Sequence, residues 1–253
     1  MKKIGLTLFC CLALSAIAQQ DGKWCVGLQW GLQGNNSELS GGMQTANARF
    51  HHNSYGSGSL NLNLRYDHSK HWMLMTGLGF GSYGYEFALS QNYSLLKGKE
   101  ESQYSKLRSS FGTVGMPLMV FYKFNPNCKN AKWILGAGYV QTLSGQQRIT
   151  QTYLEGAEGN PSGNCLKTTA TNSGGISSLL RIEVGRERVF NNGRILGITM
   201  LFNAGLKQTA QAEVTYKMDG LEYNHSFTNK GNFVGLRLSW YFRAFKNTVT
   251  KQN

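Results

Sequence analysis

The chain has 253 residues, of which 41% are hydrophobic, 12% aromatic and 15% charged, against roughly 25% charged in an ordinary globular protein. Its formal net charge is +13, with 31 glycines and 3 prolines. The length bounds it to one or two domains. Few charges, many glycines and many aromatics suit a β protein better than a helical one. The basic surplus is not interleaved with aromatics as a nucleic-acid groove requires.

The first twenty residues, "MKKIGLTLFCCLALSAIAQQ", read as an export signal. Lys2 and Lys3 precede a short apolar run, and Ala16-Ile17-Ala18 forms an A-x-A cleavage site. The expected organisation is a signal peptide over 1–18, one domain over 19–242, and a polar tail over 243–253. Cys10 and Cys11 leave with the signal. Cys25, Cys128 and Cys165 remain, an odd number that excludes a complete disulfide framework.

After the signal, no segment has the ~20 apolar residues of a spanning helix. A spanning strand needs only ~9–11 residues, apolar at alternate positions, and this pattern recurs. "WCVGLQWGL" puts Trp24, Val26, Leu28, Trp30 and Leu32 on one face. "SLNLNLRYD" does the same with Leu60, Leu62, Leu64 and Tyr66, and "HWMLMTGLGF" with Trp72, Leu74, Thr76, Leu78 and Phe80. "TVGMPLMVFYKF" follows with Val114 to Phe124, then "KWILGAGYV" with Trp133 to Tyr139. "ISSLLRIEV" and "RILGITMLFNAGL" are the sixth and seventh stretches, and "NFVGLRLSWYF" is the eighth.

Eight strands, an even number, fit an all-β, antiparallel, up-and-down transmembrane barrel. The connections support it. Long segments (33–58, 89–106, 147–175, 207–230) alternate with short ones ("DHSK", "NPNCKNA", "NNGR"). This predicts long outer loops and short periplasmic turns. Trp24, Trp72, Trp133 and Trp240 all fall at the short-turn end, where amphipathic rings form an interfacial belt. In a soluble barrel the apolar stripe would face inward. Arg65, Arg181, Glu183 and Arg237 would then face water around a core too bulky for eight strands. In the membrane barrel these four face the lumen and are expected to share one polar network. An eight-stranded lumen is filled by side chains, so the network is read as a structural plug, with an ion path as the other reading.

The charge surplus concentrates at the short-turn side. Lys70, Lys129, Lys132, Arg186, Arg188 and Arg194 make a periplasmic basic face. Lys123 counts with them, and Asp67 and Glu187 oppose them. Such a face suits anionic headgroups of the outer-membrane lipids or an acidic periplasmic protein partner. Basic residues also snorkel beside any membrane segment. His51 and His52 and the pair His225-Ser226 lie in long loops with no acid at a recognisable spacing, so no catalytic residue is assigned. No metal or cofactor motif is present, and no nucleic-acid module. Of the three possible disulfides, distance permits only Cys25–Cys128, and three free thiols are expected.

"GMPLMVFYKF", a short turn and then "WILGAGYV" resemble the family of small outer-membrane β-barrels called PorT-like or OmpX-like. The final "GLRLSWYF" is similar to their terminal strand. The resemblance covers residues 20–242. It implies an integral outer-membrane barrel and recognition of the last strand by barrel-assembly machinery. It further implies a role as an interaction barrel, accessory to secretion or envelope assembly, or as a surface adhesin. A lipid A-modifying enzyme is the third possibility. Here the tail 243–253 continues past the terminal aromatic Phe242.

Overall fold

The computed structural model describes residues 23–35, 38–40, 50–53, 55–92, 102–124, 131–154, 165–218 and 221–243. They form fourteen strands: β1 (Lys23–Asn35), β2 (Glu38–Ser40), β3 (Phe50–Asn53), β4 (Tyr55–Asp67), β5 (Trp72–Asn92), β6 (Ser102–Phe124) and β7 (Ala131–Ser144), then β8 (Gln147–Leu154), β9 (Cys165–Asn172), β10 (Gly175–Val189), β11 (Ile195–Gly205), β12 (Ala210–Met218), β13 (Leu221–Asn229) and β14 (Phe233–Arg243). Eight of them close a ring in the order β1, β4, β5, β6, β7, β10, β11, β14, each antiparallel to the next, with β14 returning to β1. Closure leaves no unpaired edge in the barrel wall, the condition for strands to cross lipid.

The eight alternating stretches are these eight strands. Their apolar stripes face outward: Leu28, Leu62, Leu118, Ile182, Met200 and Leu236 are all exposed. Across β1 and β14 the stripes lie side by side, with Leu28 opposite Trp240 and Leu32 opposite Leu236. A solvent-exposed belt of this kind is stable only against hydrocarbon.

Two of the short turns are well defined. Ser69 Oγ accepts from the backbone N–H groups of His71 (3.2 Å) and Trp72 (3.0 Å). In the other, Gly193 adopts φ 80°, which glycine alone takes without strain. Its N–H donates to the Phe190 carbonyl at 2.9 Å.

At the opposite end the strands do not stop where the lipid belt stops. β8–β9 and β12–β13 are hairpins that continue the wall. With β2 they form a second, five-stranded sheet in the order β2-β13-β12-β9-β8. The upper halves of β5 and β6 rise beside it, with β3 paired to β5. The segments expected as long loops are therefore in large part strands.

The reason is visible along β5. Outward positions up to Phe80 are apolar apart from Thr76, and then become Ser82, Gly84 and Glu86. Inward positions are Gly77, Gly79 and Gly81, and then Tyr83, Tyr85 and Phe87, all three buried. The apolar face changes sides where lipid gives way to water. Above that line the wall encloses an ordinary hydrophobic core. Tyr83, Tyr85, Phe87 and Phe111 pack there with Leu166, Ala212, Val214, Tyr216 and Phe227.

Candidate functional site: the lumen and its two ends

Inside the barrel, large side chains lie opposite glycines. A Cβ on Gly27 would overlap the Tyr241 ring, and one on Gly136 the Phe121 ring. With these rings, Cys25, Met73, Met75, Met119, Ile134 and Ile195 fill the lower lumen. Gln29 Nε2 donates to the Tyr241 hydroxyl at 2.7 Å, and that hydroxyl donates to Met75 Sδ at 3.2 Å.

Two ionic clusters are built into this packing. The lower one lies near the short-turn end. Arg65 Nη1 donates to Glu187 Oε1 at 2.6 Å and Arg65 Nε to Asp67 Oδ1 at 3.0 Å, while Lys123 Nζ reaches the same Asp67 oxygen at 2.9 Å. The Arg65 guanidinium also stands 5.3 Å from the centroid of the Tyr241 ring. Two cations thus meet two carboxylates. The upper cluster holds Glu183 between two arginines, with Glu183 Oε1 2.6 Å from Arg237 Nη1 and 3.7 Å from Arg181 Nη1. Arg181 Nε donates to Asn203 Oδ1 at 2.8 Å.

The single network expected of Arg65, Arg181, Glu183 and Arg237 is therefore corrected. Arg181, Glu183 and Arg237 are together, whereas Arg65 pairs with Glu187 and Asp67. Height along the barrel is the cause. Arg65 and Glu187 each lie two residues from the lower end of their strands, and Glu183 lies four residues further up.

A second correction concerns the short-turn face. Lys123, Asp67 and Glu187 belong to the lumen cluster and not to the outer surface. Lys123 is in phase with the inward residues Phe121 and Met119, so strict alternation could have placed it. Around the rim, Lys70 is exposed in its turn, and Arg186 and Arg188 are exposed on the outward face of β10. Arg194 is exposed as well, its guanidinium 5.7 Å from the centroid of the Phe242 ring, and Lys132 is half-buried. Lys129, like Cys128, lies outside the described residues. With Asp67 and Glu187 turned inward, the described rim presents cations alone.

The four tryptophans stand above this rim. Trp24 packs on Tyr66 with ring centroids 4.8 Å apart, and Trp72 stands edge-on to Tyr122 at 5.2 Å. Trp133 is exposed, and Trp240 lies 6.0 Å from Phe190. These are rings at the depth where the strands leave the apolar belt.

In the outer hairpins, His225 stacks on Tyr216, with its Nε2 3.4 Å from the tyrosine hydroxyl. Burial lowers its pKa below the ordinary histidine value, and burial likewise pushes the Tyr85 phenol up. Ser226 Oγ accepts from Gln211 Nε2 at 3.2 Å. His51 and His52 lie on β3, and Ser54 is outside the described residues. Among the described residues no group of three His, Cys, Asp or Glu could hold a metal ion. Cys25, inside the lumen, and Cys165, on β9, are free thiols.

Residues 17–140 match the model of the family described as outer membrane protein beta-barrel domain. The match spans the first four of the eight barrel strands and most of the fifth, and the remaining three close the same ring under the same apolar belt. The matched part of the chain is similar to this family, and the ring as a whole has the fold of a closed, eight-stranded antiparallel β-barrel. Solved structures similar to it include the outer membrane protein OprG from Pseudomonas aeruginosa, at 10% identity over 88% of this chain and 97% of that one, with a TM-score of 0.44. A major outer membrane protein from Thermus thermophilus follows at 16% identity, covering 88% of this chain and 100% of that one, with a TM-score of 0.42. Neisserial surface protein A is similar at 13% identity over 87% and 99%, with a TM-score of 0.37. None of the curated proteins matches the chain.

Proposed function

We propose that this chain is a structural or interaction barrel of the outer membrane, a closed body and not a solute pore. In this reading it is a non-enzymatic accessory to secretion or envelope assembly, in the manner of the PorT-like and OmpX-like barrels it resembles. The observation that carries the reading is the Arg65–Glu187 ion pair, set across the lumen in a layer of Met73, Phe121, Ile134 and Tyr241. A hydrated solute passing that layer would have to separate a desolvated ion pair.

The partners follow from the rim. Lys70, Lys132, Arg186, Arg188 and Arg194 would face the periplasm, where anionic headgroups or an acidic protein complement them. Barrel-assembly machinery would read β14. The test has two parts. In planar bilayers the purified barrel should give no steady conductance. In intact cells, photo-crosslinkers at Lys70 and Arg194 should capture one periplasmic protein reproducibly. Stable ion-conducting openings, or no capture beyond lipid, would overturn the corresponding half.

A second reading is a surface adhesin acting through the outer hairpins. It is favoured by the aromatic core of Tyr85, Phe87, Phe111 and Phe227, which would hold β8–β9 and β12–β13 as a fixed display. Deleting 211–228 should then abolish surface binding while the barrel still assembles.

A further inference from the structure

We infer that the upper lumen is a binding site for a small inorganic anion of the size of phosphate or chloride. This goes beyond the role proposed above and does not depend on it. The two ionic clusters differ in charge balance. The lower sets Arg65 and Lys123 against Asp67 and Glu187. The upper sets Arg181 and Arg237 against Glu183 alone, and both arginines approach the same oxygen, Oε1. Guanidinium groups stay charged in proteins, so one positive charge is left over. It is deeply placed, since Arg181 is 6% exposed and Arg237 2%. An uncompensated buried charge is costly, and a counter-ion is the direct remedy.

The surplus has a place to be met. Directly beside the two arginines is a cavity of about 70 Å³. On the same measure a single water needs only about 10–15 Å³, so the cavity has room for a small anion with water beside it. Arg181 and Arg237 line it and Glu183 does not. The rest of the lining offers neutral hydrogen-bonding groups, among them Asn35, Ser59, Asn61, Thr113, Thr142 and Ser177. Among the described residues, two donors of lining residues, Arg237 Nε and Asn61 Nδ2, have no acceptor, and the Tyr83 hydroxyl, which can also donate, has no partner; one lining acceptor, Asn35 Oδ1, is unused as well. Glu183 Oε2 also lacks a protein donor, but it is not at the cavity wall. Unused donors, a net positive charge and neutral walls select an anion over a cation or an apolar molecule.

The experiment is isothermal titration of the full-length barrel in zwitterionic detergent micelles. Inorganic phosphate, and chloride in a second series, are titrated in at constant ionic strength held by gluconate, with a gluconate-only titration as the blank. The wild-type barrel should bind one anion per chain. Arg181→Gln leaves Arg237 and Glu183 as a one-to-one pair and should lose binding. Glu183→Gln raises the surplus and should bind more tightly. Neutralising the rim through Lys70→Gln and Arg194→Gln should leave binding unchanged. No saturable binding to the wild-type barrel would overturn the inference, as would binding that survives Arg181→Gln and disappears in the rim variant. Should one lumen variant fail to assemble, the wild-type and rim titrations still decide.

Discussion

Arg65 on β4 and Glu187 on β10 are 122 residues apart in the chain, and their side chains meet at 2.6 Å. In the ring order their strands are four places apart, diametrically opposite. The pair therefore spans the lumen and ties two strands that share no backbone hydrogen bond. Removing one partner of such a pair strands a buried charge, at about 3–5 kcal/mol. Glu187→Leu is expected near the lower end of that range, because Arg65 keeps Asp67, and Arg65→Met is the other single change. The double variant Arg65→Met with Glu187→Leu removes both charges and leaves Lys123 on Asp67, so it should cost less than either single change. Urea unfolding of the four proteins in micelles measures the coupling. Additive losses would mean that the two side chains do not act on each other.

The outward stripe supports a second prediction. Met200 on β11 lies beside Leu236 of β14 and Val184 of β10, in the middle of the apolar belt. Met200→Arg should destabilise the barrel by ~2–4 kcal/mol at mid-membrane depth. Arg placed at Thr199, which faces the lumen, would meet a different environment. Cysteines introduced at Leu62, Leu118, Met200 and Leu236 should resist water-soluble thiol reagents in intact membranes. Ready labelling there would shift every strand by one residue.

These two predictions rest on different kinds of legibility. The stripe through Met200 could be read from sequence because lipid imposes a period of two on all eight strands, broken only locally, as at Thr76 on β5 and Ser178 on β10. The partner of Arg65 could not, because it depends on which residues share a height once the ring is closed. Nearness to a turn counts Asp67 and Lys123 with the charge of the periplasmic side, although the alternation of their own strands places them inward. The outer hairpins were hidden for another reason. From Ser82 on β5 the polar and apolar faces exchange, so a search for outward apolar positions loses the strand at the membrane edge. Tyr83, Tyr85 and Phe87 carried that signal at the same period on the opposite face.

The outer core should behave as a unit that is stable in its own right. Phe227 on β13 meets Phe87 of β5 with ring centroids 4.9 Å apart, and both are almost wholly buried. Phe227→Ala should cost about 3–5 kcal/mol of local stability. The expected readout is faster proteolysis within 207–230, with the barrel still resistant. Equal protease resistance of the hairpins in the two proteins would show that the contact is not holding them.

A pH dependence follows at the same end. Burial holds the His225 imidazole below its ordinary value, which is ~6.5 in an unfolded chain. The unfolded segment then takes up a proton before the folded one. Stability is complete above that unfolded value and declines as pH falls through the window down to the folded one. The hydrogen-exchange protection factors at Val214–Tyr216, corrected for the intrinsic pH dependence of exchange, should fall between about pH 7 and pH 5. His225→Phe, which keeps a ring on Tyr216 without a titrating group, should remove the dependence. If the variant shows the same acid-side change, another group is responsible.

The last prediction concerns the space beside Gly27. The Tyr241 ring occupies the position a Cβ at residue 27 would take, and the Trp240 carbonyl oxygen lies 2.6 Å from it. Gly27→Val should displace the ring and overpack the lower lumen, at about 1–3 kcal/mol. Displacing the ring also breaks the chain from Gln29 through the Tyr241 hydroxyl to Met75, and it uncovers the Arg65 guanidinium. Tyr241→Ala alone should destabilise by removing a buried aromatic, at about 3–5 kcal/mol. Combined, the two changes exchange volume across one strand pair, so Gly27→Val should be tolerated better in the Tyr241→Ala background than in the native one. Unfolding midpoints of the two single variants and the double variant measure this. If Gly27→Val costs as much without Tyr241 as with it, the backbone carbonyl and not the ring sets the limit at this position.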